Sequence, residues 1–155
     1  MNALLKTFTI TRNLSLLYYS KIDKLKIYEQ ITINDKQLNS AAWIFAHLTW
    51  AEYFLIHQGF GFDTKAPDWL ELVKIGNNHE LIKDLPSIEI IEQYNQALHQ
   101  ETIKQLQNIS EEVLLQEALI PLKFGDDNSK LMMLMHTIRH EGVHTGQLSY
   151  LAKLL

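Results

Sequence analysis

Residues 39–58 read NSAAWIFAHLTWAEYFLIHQ, and this stretch decides the class of fold. From Ala41 to Ile56 it is apolar nearly all the way round a helical projection, which marks a helix buried on most sides. Asn39 and Ser40 supply N-cap chemistry and Gly59 a stop, so the spacing predicts a helix over about 40–58. His47 and Glu52 break 41–56, and they are enough to keep it from reading as a membrane span.

A helix surrounded by apolar neighbours needs other helices to supply them. Working outward, apolar residues recur at helical spacing in three more long segments. The first covers about 3–20, with Leu4, Phe8, Leu14, Leu17 and Tyr18 on or near one stripe. Another starts after Leu85-Pro86 with Ser87 as cap, buries Ile88, Ile91, Tyr94 and Leu98, and fades near Asn108. The last runs from about Ser129 to the C-terminus, after a turn at Gly125-Asp126-Asp127. A short helical piece is expected over 67–73, while the β-branched run Ile31-Thr32-Ile33 is too short and isolated to argue a sheet. Four long helices imply an all-α protein built as a four-helix bundle. No repeat or linker divides residues 1–155, so one domain is expected.

The composition sets further bounds. Of the 155 residues, 46% are hydrophobic and 21% charged, as in ordinary globular proteins. A net charge of −4 without a Lys/Arg cluster argues against nucleic acid, and no charge run suggests a membrane partner. The start, MNALLKTFTITRN, lacks the pattern of a secretory leader, so a cytoplasmic protein is expected. Cysteine is absent, which removes disulfides, thiolate ligands and a cysteine nucleophile.

The chemistry concentrates in histidine. His136, His140 and His144 follow one another at four-residue steps in the last helix. Such a step rotates by about 40° and rises about 6 Å, so two adjacent rings can converge on one ion. On spacing alone, a histidine-rich solvated stripe explains these positions equally well. Residues 140–144 spell His-Glu-Gly-Val-His, the H-E-x-x-H of zinc proteases with Glu141 as the base. The positions where the extended motif wants Gly and His hold Gln147 and Tyr150, and no acidic residue follows His144. A protease is therefore excluded.

A third ligand must come from upstream. His79 sits in a polar loop and His99 among Gln and Glu, both read as surface positions. His57 ends its helix, where imidazole meets unpaired carbonyls. His47 lies mid-helix in the most apolar segment, and a buried ring needs partners for both nitrogens. A core histidine bonded to a neighbour satisfies that need, and so does a metal ion. His47, His140 and His144 together offer three neutral nitrogen donors with an open position, which suits Zn²⁺ and also Ni²⁺, Fe²⁺ or Cu²⁺.

NSAAWIFAHLTWAEYFL at 39–55 followed by HEGVHTGQLSYLAKLL at 140–155 resembles the DinB-like, or YfiT-like, superfamily of metal-dependent proteins. The resemblance rests on a mid-helix His in the second long helix and His-x-x-x-His, then Gly-Gln, in the last. It implies a down-up-up-down four-helix bundle, often dimeric, with His47, His140 and His144 holding zinc or nickel. It also implies a metal-dependent enzyme: a transferase using a low-molecular-weight thiol, or a metal-assisted hydrolase. The alternative of another class is a non-catalytic metal-binding or stress-response module acting as a dimer.

The chain departs from the family at Thr145, often Arg there, and at Val143, often polar; both positions bear on substrate recognition. Among the neighbours, Glu141 is a weak candidate for catalysis and is expected to face solvent. Gln147 is placed to orient a ligand ring, Gly146 to let another helix approach, and His136 to line the site without ligating. Trp43 and Trp50 are read as core.

Overall fold

The computed structural model describes residues 2–77 and 83–155. His79 lies outside them. The protein is all-α: α1 spans Asn2–Tyr19, α2 Ala41–Glu52, α3 Ile88–Gln107, α4 Glu111–Leu114 and α5 Lys130–Leu154. A π-helical segment, Tyr53–Gln58, continues α2, and a 3₁₀ turn covers Asp68–Val73. Among the described residues no helix is long and apolar enough to cross a membrane.

Local chemistry accounts for the boundaries. The Ser40 side chain accepts the Trp43 N–H at the start of α2, and Ser129 accepts Met132 N–H at the start of α5. Ser87 occupies the N-cap of α3 but makes no side-chain cap bond. The run at 31–33 does form a strand, though a minimal one: Thr32–Ile33 (β1) pairs antiparallel with Lys36–Gln37 (β2). Asn34 and Asp35 both take positive φ, 49° and 60°, as a two-residue hairpin turn requires. Gly125 also has positive φ, at the expected turn before α5.

The first helix corrects its sequence reading. Leu14 and Leu17 face outward, 41% and 49% exposed, whereas Arg12 and Ser15 face inward. In α3 the buried row is Ile88, Ile91, Asn95, Leu98, Thr102 and Leu106, with Tyr94 only half-buried. α1 packs chiefly on α5, and α2 packs on α5, α3 and the 3₁₀ turn.

These helices enclose two apolar clusters. One gathers Tyr19, Phe45, Leu48, Ile91 and Leu148; the other Phe8, Leu55, Ile56, Leu106 and Leu134. In α1, α2, α3 and α5 alike, a buried polar residue falls in sequence between the two: Arg12, Glu52, Asn95 and Glu141. A polar layer thus separates two greasy ones.

Candidate metal centre

α2 and α5 bring His47, His140 and His144 together, each offering a nitrogen within 4.8 Å of the others. Ring centroids lie 5.2 Å (47–140), 5.1 Å (47–144) and 4.5 Å (140–144) apart, and the planes are tilted by 59–70°. His47 is held between two indoles, stacked with Trp43 at 4.6 Å and Trp50 at 5.3 Å. Trp43 is core as expected, and both tryptophans also fix the ring of His47. His47 and His144 are buried; His140 is the half-exposed member.

The hydrogen bonds decide which nitrogens are available. His47 Nδ1 lies 2.6 Å from Val73 O, an atom that can only accept, so Nδ1 carries the proton and Nε2 the lone pair. His144 Nδ1 donates to Gln147 Oε1 at 2.7 Å, leaving its Nε2 a lone pair too. That Nε2 stands 3.2 Å from His140 Nε2. Either His140 Nε2–H donates to that lone pair or a cation takes both nitrogens. His140 Nδ1 is buried without a hydrogen-bond partner.

Burial, aided by His144, lowers His47 to about 4, and burial with the neighbouring histidines lowers His140 to about 3. Burial lowers His144 as well. At neutral pH all three rings are neutral, the state a cation needs. Three neutral imidazoles, two with Nδ1 fixed by an acceptor, form a donor set that fits one divalent ion.

The remaining histidines and neighbours fall elsewhere. His136 is outside the cluster, 5.8 Å from His140 between ring centroids, and stacks on Phe124 at 3.8 Å. His57, expected among helix-end carbonyls, is fully buried: Thr102 Oγ1 donates to Leu98 O and accepts from His57 Nε2, while Thr64 meets Nδ1. His99, expected on the surface, is half-buried with Nδ1 donating to Glu52 Oε1 at 3.0 Å. A Cβ on Gly146 would meet nothing within 4 Å, so no helix uses it for close approach.

Glu141 corrects its reading most sharply. It is 1% exposed and both its oxygens bind Arg12, at 2.5 and 3.1 Å. The same guanidinium binds Glu52 Oε2 at 2.8 Å and Asn95 Oδ1 at 3.0 Å. One α1 side chain therefore touches α2, α3 and α5. Burial opposes the charge on Arg12, but Glu52 and Glu141 raise its pKa; burial likewise opposes Glu52, yet Arg12 and then His99 hold it down to about 2. No short-range sequence signal pointed to this network, whose members are 40 to 129 positions apart.

Among curated proteins none matches the chain. Residues 22–148 match the DinB superfamily, and the chain belongs to that superfamily.

Proposed function

From that membership and the donor geometry, we propose that the protein is a divalent-metal protein in which His47, His140 and His144 hold zinc or nickel for a thiol S-transfer or a metal-assisted hydrolysis. The observation that carries the reading is the pair of Nδ1–H anchors, on Val73 O and Gln147 Oε1, which leave lone pairs converging in a buried place. When bound, such an ion supplies Lewis acidity, stabilising a thiolate or hydroxide at neutral pH. The chain's own part is to orient the rings, keep them neutral and exclude water from two of the three. Glu141, engaged on both oxygens by Arg12, acts as a positioning group for α5 rather than as a base. The absence of cysteine fits a thiol transfer whose sulfur is supplied by a low-molecular-weight thiol, without demanding it.

The same reading takes the four long helices as one domain, a down-up-up-down bundle working as a cytoplasmic homodimer. A second reading, a non-catalytic metal-binding module, draws support from the burial of His47 and His144, 3% and 9% exposed.

Elemental analysis of protein purified without metal-affinity resin tests the centre. About one ion per chain is expected, lost in His47→Ala. A metal content equal in the wild type and the variant overturns it. Conjugation of an electrophile to common cellular thiols then separates the readings: metal-dependent turnover supports the enzyme, and none across the panel supports the module.

A further inference from the structure

The half-exposed ring of the cluster, His140, adjoins His136 on the N-terminal side of α5, with 5.8 Å between ring centroids. A pocket of about 440 Å³ lies there, lined by Phe124, Gly125, Met132, Met135, His136 and Arg139. Phe124, His136 and His140 form a ring stack running from this pocket to the histidine cluster.

The polar side chains of the pocket are His136 and Arg139. Arg139 Nη2 donates to His136 Nδ1 at 2.9 Å, and a guanidinium cannot accept, so Nδ1 holds a lone pair and the neutral ring carries its proton on Nε2. That Nε2–H makes no hydrogen bond among the described residues, and Arg139 forms no ion pair among them. The Asp127 carboxylate accepts the Ser129 N–H at 2.8 Å. An exposed guanidinium beside an imidazole N–H is complementary to a planar anion, while Phe124, Met132 and Met135 are complementary to an apolar body.

We propose that this pocket is the carboxylate-recognition subsite for the substrate of the three-histidine centre, taking an organic carboxylate with an apolar body. Its location as a substrate subsite rests on the metal reading; its ligand chemistry does not. Arg139 anchors the carboxylate, His136 Nε2–H gives a second bond, and the apolar portion lies over the two methionines.

Phenylacetate and its neutral counterpart phenylacetamide are the probes, followed through the methionine methyl signals of the isolated protein. Phenylacetate should shift Met132 and Met135 saturably and leave the fully buried Met133 in place. Phenylacetamide, or phenylacetate with Arg139→Ala, should bind about tenfold more weakly, the loss of one charge-assisted bond. Arg139→Lys should fall between, keeping the charge without the fork. Equal affinity for the two probes, no binding of phenylacetate, or binding indifferent to Arg139→Ala overturns the subsite. Metal analysis of the same samples separates the failures. Protein that holds its ion yet ignores phenylacetate overturns this inference alone. Protein without ion that binds phenylacetate through Arg139 supports the anion pocket and overturns the metal reading.

Discussion

His140 and Glu141 are neighbours in the chain, yet they belong to two polar centres of opposite character. Successive helical residues point about 100° apart, so α5 sends His140 and His144 toward α2 and sends Glu141 and Thr145 toward α1. On the α1 side the chemistry is nearly complete: one cation meets two carboxylates and an amide oxygen, and of this network only His99 Nε2 is buried without a partner. On the α2 side it is unfinished: His140 and His144 meet each other through Nε2 at 3.2 Å, and His140 Nδ1 is buried without a partner. A finished polar cluster specifies how helices sit; an unfinished one in a similarly buried place asks for a ligand. The same helix does both.

The contrast breaks most visibly at Arg12. Arg12→Met leaves Glu52 and Glu141 buried without the guanidinium that joins them, and losing one partner of a buried pair costs about 3–5 kcal/mol. Denaturant melts should show that loss, with any residual folded protein still binding metal. A variant as stable as the wild type sinks the idea that this network specifies helix packing. Acid gives the same information without mutation. The folded pKa of Glu52, about 2, lies below its ordinary value of 4.5, so its stabilising effect is full above pH 4.5 and is lost as pH falls toward 2. Stability measured across that interval should decline in the wild type.

The two centres were unequally legible in the sequence. His47 announced itself because a polar ring in a helix apolar on nearly every side has few ways to be satisfied, and the paired spacing of His140 and His144 allowed convergence without requiring it. Ser40 was readable as a cap because capping is local, and Ser129 was readable as the start of the last helix. Arg12 was not readable. A lone arginine on an amphipathic helix looks like a surface residue, and its partners lie 40, 83 and 129 positions away. That hidden pairing also explains why the inward face of α1 was misjudged: with Arg12 and Ser15 turned inward, Leu14 and Leu17 must turn out. His57 and His99 were misplaced for the same reason, since Thr102 and Glu52, which satisfy them, belong to other helices.

On the α2 side the expected effects are in binding more than in folding. Added Zn²⁺ or Ni²⁺ at about a hundred times its Kd should stabilise the wild type by about 2.7 kcal/mol, an upward shift in melting temperature of several degrees. His47→Ala should show no shift, and an equal one in both proteins contradicts a shared site. Gln147→Ala is subtler. Removing the acceptor of the His144 Nδ1–H should weaken metal about 10–100-fold while leaving the ligands in place. Competition against a chelator reads that change, and an unaltered affinity argues that His144 needs no orienting partner.

The smallest effect sharpens the division most. Thr145, where the family often carries Arg, is buried against α1 rather than beside the histidines, 5% exposed. Its hydroxyl donates to Glu141 O at 2.7 Å and lies 2.5 Å from Ser15 Oγ. A hydroxyl has one proton, so Ser15 donates to Thr145, and its longer 3.2 Å approach to Thr11 O goes without. Thr145→Val keeps the shape and removes the acceptor, at a cost of about 1 kcal/mol. Chemical denaturation should register that loss while metal affinity stays at the wild-type value. If affinity instead fell by about tenfold, equivalent to about 1.4 kcal/mol, the two faces of α5 would be energetically one, and the histidine cluster would depend on contacts to α1 that its own hydrogen bonds do not include.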